Sequence, residues 1–183
     1  MTNIDDYLAE QKIITISRVI DEEVLEDFHK KIIYMNGIEG KSPKERLIRV
    51  YINSYGGDLS SSFAICDMIY ASVDPVYTYC IGEAMSGGFM ILVAGEKRFV
   101  SERATLMVHN FSMLHEGNYD ELVAKRELED YLDKITIEHF LRHSKFKTEK
   151  QVKEKLLQPV NTHLSPENAL KYGLVDYILR KEK

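Results

Sequence analysis

With 183 residues, 44% hydrophobic and 29% charged, the chain has the size and balance of a globular protein that buries a sizeable core. A formal charge of −5 argues against nucleic acid as a partner, and no apolar run approaches the ~20 residues of a membrane span. The start, MTNIDDYLAEQ, lacks a signal peptide's basic end and apolar centre, and Cys66 and Cys80 are too few for a disulfide framework. A reduced, cytoplasmic setting is therefore expected.

The elements follow in chain order. IITISRVI (13–20) reads as a first strand, and Asp21 can cap a helix with apolar positions at Val24, Leu25, Phe28, Ile32 and Ile33. Gly37 to Lys44 reads as a surface loop. RLIRVYINS alternates at Ile48, Val50 and Ile52, a strand that gives way to the turn YGGD. A second helix covers 59–71 with Phe63, Ile65, Met68 and Ile69 inward. Pro75 precedes a strand VYTYCIG, then come Ser86-Gly87-Gly88, an apolar helix through Ala94 and a turn at Gly95. RFVSERATLMVHN supplies two further short strands. From Asn118 to His143 the pattern predicts one long amphipathic helix, with Leu128, Tyr131, Leu132 and Ile135 on its apolar stripe. That stripe packs either on its own domain or on a second subunit. Ser165 and Pro166 open a last helix, Gly173 ends it, and LVDYIL closes the chain as a strand.

Strands alternating with helices, without repeats or low-complexity tracts, predict one α/β domain over 1–183 with mainly parallel pairing. Sites in such sheets lie beyond the carboxyl ends of the strands. SYGGD, AMSGG and MVHNF all fall there. A serine hydroxyl needs a base to become a nucleophile, and acyl transfer needs N–H donors for the developing oxyanion. Ser86 at a helix start supplies the hydroxyl, the Gly87 N–H lies beside it, and Gly56 or Gly57 adds a second donor. His109 at a strand end is the candidate base.

Other motifs fail on spacing. Gly82 lies four residues before Ser86, so GEAMSGG is not G-x-S-x-G, and YGGDLSS lacks the lysine and long glycine spacing of a phosphate loop. His139 and His143 stand four apart on the long helix without the glutamate of H-E-x-x-H, so no metal and no cofactor is expected. His29, His115 and His163 read as surface or packing residues.

These segments in this order resemble the proteolytic subunit of the Clp protease, the ClpP family, over most of the chain. YINSYGGD resembles its Y-I-N-S-P-G-G turn and CIGEAMSGGFMILVAG its C-x-G-x-A-x-S-M-G-x-x-L-L-x-A-G segment. LMVHNF resembles M-I-H-Q-P, and HLSPENALKYGLVDYIL its F-(L/M)-S-x-x-E-A-x-x-Y-G-L-(V/I)-D-x-(I/V). The resemblance implies a crotonase-like ββα superhelix with a protruding handle helix at 118–143. It also implies serine endopeptidase activity on unfolded protein or short peptides, and a homo-oligomer of heptameric rings, paired as a tetradecamer. Position by position, Ser86 matches the nucleophile, His109 the base, and Gly57 and Gly87 the oxyanion donors. Segments flanking the serine match those that hold substrate as an added strand.

The departures are specific. The third triad position, usually Asp, is Asn161, which can orient an imidazole but carries no charge; the same change in a serine protease lowers turnover by ~10⁴. Asp176 matches the YGLVD aspartate outside the triad. Tyr55 replaces the proline of S-P-G-G and Gly87 the methionine after the serine, neither removing a backbone donor. Arg49 replaces an aromatic of the pocket that docks a AAA+ unfoldase, while Tyr51 and Phe99 remain pocket members, so an unfoldase or a ClpP paralogue are the partners to consider. Two further readings compete with the peptidase: a catalytically weak ring subunit, and a crotonase-type acyl-CoA enzyme, for which only Asp58 and Glu83 lie beside the glycine turns.

Overall fold

The computed structural model describes residues 4–38, 42–110 and 118–180; Phe111 and His115 lie outside the described residues. A short helix α1 (Ile4–Glu10) leads through Lys12, in the left-handed region at φ 54°, into β1 (Ile13–Ile16). The Lys12 ammonium is buried, 2.7 Å from Asp74 Oδ2 and 3.0 Å from the Ile38 carbonyl, and so ties the amino-terminal segment to the body. Helix α2 (Glu22–Gly37) starts where the Asp21 carboxylate accepts from the Val24 N–H. It buries Val24, Phe28, Ile32 and Met35, whereas Ile33 is 60% exposed. Ile33 sits one residue, about 100°, round from Ile32, off the contacting face.

A one-turn helix α3 (Pro43–Arg46) precedes β2 (Ile48–Ser54), in which Ile48, Val50 and Ile52 alternate inward as the sequence predicts. Helix α4 (Leu59–Ala71) buries Ser61, Ser62, Ile65, Cys66 and Ile69, with Phe63 and Met68 only partly covered. There follow β3 (Val76–Met85), α5 (Gly87–Ala94), β4 (Lys97–Ser101), β5 (Thr105–Val108) and α6 (Tyr119–Arg142). Beyond them lie α7 (Glu149–Lys155), β6 (Thr162–Leu164), α8 (Pro166–Tyr172) and β7 (Tyr177–Leu179). Gly173 caps α8 at φ 73°, as its place past the helix end predicts.

The main sheet runs β1-β2-β3-β4-β7, all parallel, in the α/β class that the alternation of elements predicts. Strand β3 outlasts its neighbour: it pairs β4 as far as Cys80, then β5 from Glu83 onward. The change of partner falls at Gly82, φ 97°, where a side chain would run into Asn53 Oδ1, the atom that accepts from the Glu83 N–H. β6 lies antiparallel on β5. Helix α5 is buried along its whole length, and its Phe89 packs on Phe140 of α6 with ring centres 6.0 Å apart.

Helix α6 opens on a capping box between Asn118 and Glu121. Its buried residues are Thr136, Ile137, His139 and Phe140, all near its carboxyl end. Leu128 and Tyr131, on the predicted stripe, are 45% and 59% exposed. The amino-terminal half of α6 thus projects away from its own core. No helix among the described residues is long and apolar enough to cross a membrane.

Candidate active site

The branching of β3 brings three strand ends together. Ser86 follows β3 directly and stands at the N-cap of α5 with φ 50° and ψ −120°, a backbone conformation that costs a non-glycine residue about 1–3 kcal/mol. Its side chain caps nothing, so the hydroxyl is left for other work. Its N–H donates to the Met107 carbonyl at 2.8 Å, and its carbonyl accepts from Phe89 and Met90 to start the helix. Met107 lies on β5 two residues before His109, so one hydrogen bond fixes the spacing between the serine turn and the histidine. His109 Nε2 lies 2.9 Å from Ser86 Oγ. With Oγ–H donating, the imidazole carries its proton on Nδ1, leaving Nε2 as the acceptor a general base needs.

The glycines shape what surrounds the hydroxyl. Gly57 pairs with Ile20: the Ile20 N–H donates to the Gly56 carbonyl at 2.9 Å and the Asp58 N–H to the Ile20 carbonyl at 2.8 Å. In a parallel bridge of this kind the central residue's own N–H points away from its partner. A Cβ on Gly57, φ 155°, would fall on the Ile20 backbone, and one on Gly56 would lie 2.8 Å from Ser86 Cβ and 2.9 Å from the Gly87 nitrogen. A Cβ on Gly87 would strike Ser62 Oγ, itself donating to the Asp58 carbonyl at 2.7 Å. The Gly87 N–H opens α5 and needs no helical acceptor, and the helix dipole adds positive potential there. The glycine turn after β2 thus lies against the serine turn at the start of α5.

Asn161 lies one residue before β6 and His109 one residue after β5. β5 and β6 pair Leu106 with Leu164, Met107 with His163 and Val108 with Thr162. The pairing ends there, one residue short of both His109 and Asn161. Asn161 is exposed and makes no hydrogen bond among the described residues, while the neighbouring Thr162 hydroxyl is buried without a partner. Asp176 is elsewhere: it grips Arg98, with Oδ2 3.0 Å from Nε and Oδ1 2.9 Å from Nη2.

His139 of α6 and His143 at its C-cap are packing groups. His139 is buried, its Nε2 3.1 Å from the Met90 carbonyl and its Nδ1 2.9 Å from the Tyr70 hydroxyl. Nε2–H can only donate to a carbonyl, so Nδ1 accepts from Tyr70. Burial, reinforced by neighbouring His143, pushes its pKa down to about 3. His143 stacks on Tyr70 and is pushed down to about 4 by burial and then by the charge of Arg98. Among the described residues no cluster of His, Cys, Asp and Glu could hold a metal ion. Both thiols are raised by burial, Cys80 to about 12, so neither is a nucleophile.

Sequence comparison bears directly on this arrangement. A family model described as Clp protease matches residues 1–182. The chain belongs to the Clp protease family. Within that family of peptidases, one relative is the "ATP-dependent Clp protease proteolytic subunit" of Deinococcus radiodurans. It is 27% identical over 174 residues, covering 94% of this chain and 82% of the relative. The fold is that of ClpP, with β3, α5 and β5 carrying the serine turn and the histidine.

Three supports escape sequence reasoning. Asn53 fills the gap at Gly82. Ser54 Oγ donates to the Arg18 carbonyl at 2.6 Å and accepts from the Gly56 N–H at 3.1 Å. Ser62 backs Gly87. All three are ordinary polar residues in YINS and LSSS, and only their places in space give them work.

Proposed function

We propose that this chain is a ClpP-like serine endopeptidase acting on unfolded or short polypeptides. The contact of His109 Nε2 with Ser86 Oγ at 2.9 Å, at a turn strained to expose the hydroxyl, carries the reading. His109 accepts the hydroxyl proton as Oγ attacks the scissile carbonyl carbon. The Gly57 and Gly87 N–H groups hold the oxygen that gains the charge. The C–N bond breaks as the leaving nitrogen takes the proton from His109, and water, deprotonated by the same imidazole, releases the acyl group and restores Ser86. The step uses no metal and no cofactor.

Around this site, the uncovered half of α6 supports pairing of rings through handle helices, in a homo-oligomer of heptameric rings or their tetradecamer. Tyr51, Tyr79, Phe99 and Tyr177 lie in register on four strands, stacked at 4.9, 4.6 and 4.8 Å between successive rings. This aromatic row supports docking of a AAA+ unfoldase or pairing with a ClpP paralogue, although Arg49 is held by the Gln11 carbonyl at 2.9 Å beside it. A cytoplasmic setting fits the buried, unpaired thiols.

A second reading, a ring subunit of weak activity, rests on the exposed Asn161, which makes no hydrogen bond among the described residues. The acyl-CoA reading loses ground because Asp58 is committed to capping α4, accepting from Ser61 N–H at 2.7 Å. The test is hydrolysis of a fluorogenic peptide and of an unfolded protein by the assembled chain and its Ser86→Ala variant. Cleavage lost with Ser86 supports the peptidase; equal rates in both refute it.

A further inference from the structure

Helix α5 is buried along its whole length, which fixes its depth but not its rotation, since apolar burial carries no direction. Direction comes from hydrogen bonds. Thr78 Oγ1 of β3 donates to the Leu92 carbonyl at 2.6 Å, and His139 Nε2 of α6 donates to the Met90 carbonyl at 3.1 Å. Met90 stands one turn from Ser86, and its own N–H donates to the Ser86 carbonyl at 3.1 Å. Behind His139, the Tyr70 hydroxyl of α4 donates to Nδ1 at 2.9 Å. A hydrogen-bonded line thus runs from α4 through α6 into the turn that holds the nucleophile. We propose that His139 is a positioning residue for Ser86, with Tyr70 setting its tautomer. This role rests on the peptidase reading and adds to it the group that holds the nucleophile's helix in place.

Both ring nitrogens of His139 are spent on these partners, so the imidazole neither takes nor gives a proton in the reaction. The residue is 7% exposed, and its ring lies edge-on to Phe63 at 6.4 Å and to Phe140 at 5.4 Å between ring centres. Burial keeps the imidazole neutral and the Tyr70 phenol protonated, the states in which both bonds run as described. A buried polar ring persists where its nitrogens are satisfied, and such a network selects one arrangement of the helices that share it. The turn needs that support. A non-glycine residue at φ 50° holds only where its surroundings over-determine it. Apolar packing alone tolerates small rotations of α5, and a misplacement of about 1 Å at a reacting atom costs on the order of 100-fold in rate.

The test compares His139→Leu, His139→Gln and Tyr70→Phe, with assembly checked by light scattering. Leucine fills the site and offers neither bond; glutamine offers a donor to Met90 and an acceptor to Tyr70. Two rates are read. One is hydrolysis of a fluorogenic peptide, resolved into kcat and KM; the other is phosphonylation of Ser86 by a small fluorophosphonate, followed by intact mass. In assembled His139→Leu, kcat and phosphonylation both fall by about 10–100-fold while KM stays within about twofold. His139→Gln recovers most of both rates, and Tyr70→Phe shows a smaller loss of the same kind. Full rates in assembled His139→Leu, a loss carried by KM, or a loss that glutamine does not recover overturns the positioning role alone. If His139→Leu does not assemble, Tyr70→Phe decides: full rates overturn the role, and a lowered kcat with slowed phosphonylation upholds it. A wild type inert toward both reagents overturns the peptidase reading and this inference with it.

Discussion

Val108 pairs with Thr162 at the end of the β5–β6 register, so His109 and Asn161 each follow directly beyond it, yet the Asn161 side chain is exposed and bonds to nothing among the described residues. The imidazole that faces Ser86 through Nε2 thus lacks an acceptor on its far side from this neighbour. Restoring charge there is the simplest way to ask whether the pairing matters. Asn161→Asp places a carboxylate that stabilises imidazolium, so peptide turnover rises by about tenfold or more. The acid limb of the pH–rate profile moves to higher pH, because a nearby anion favours the protonated ring. An unchanged rate and profile would put the third member of the site elsewhere.

Gly57 and Gly87 are held small for different reasons, and substitution separates them. Gly57→Ala drives a methyl group into the Ile20 backbone at φ 155°, where nothing can yield. Gly87→Ala meets a side-chain oxygen, that of Ser62. Each costs on the order of 1–3 kcal/mol in urea denaturation. Adding Ser62→Ala recovers part of the loss for Gly87→Ala and none for Gly57→Ala.

Acidification weakens the fold through His139. Its folded pKa is depressed to about 3 by burial, while an unfolded histidine titrates near 6.5. The unfolded chain therefore binds the extra proton between those values. The stability owed to neutral His139 is complete above about 6.5 and lost as the pH falls toward about 3. Between pH 6.5 and 5 this removes on the order of 1–2 kcal/mol. Denaturant midpoints at pH 7 and pH 5 show the loss in the wild type and a smaller one in His139→Phe.

The outer half of α6 gives a prediction about assembly. Leu128→Ala with Tyr131→Ala removes exposed apolar surface, so monomer stability changes by only about 0.5 kcal/mol. Light scattering shows the variant at a smaller mass than the wild type. An unchanged mass would assign the stripe no role between subunits.

Much of the frame could be read from pattern. The alternation of Ile48, Val50 and Ile52, the caps at Asp21 and Ser165 and the stop at Gly173 are local signals, and they stand where the sequence puts them. Ser86 and His109 were legible as candidates because each ends a strand. Their contact was not, since it depends on β3 exchanging β4 for β5 at Gly82, a long-range event. Short β6 and α7 carry too few periodic residues to announce themselves. Ile33 and the α6 stripe look alike in sequence to buried positions; only the neighbours they lack make them exposed.

Stoichiometric reaction of a fluorophosphonate with the assembled protein tests the central claim most directly, with the adduct located by peptide mass analysis. The account predicts one adduct per chain, on Ser86, absent from Ser86→Ala and slowed by about 10⁴-fold or more in His109→Ala. An assembled wild type that takes no label, or a label that persists at full rate without His109, would contradict it.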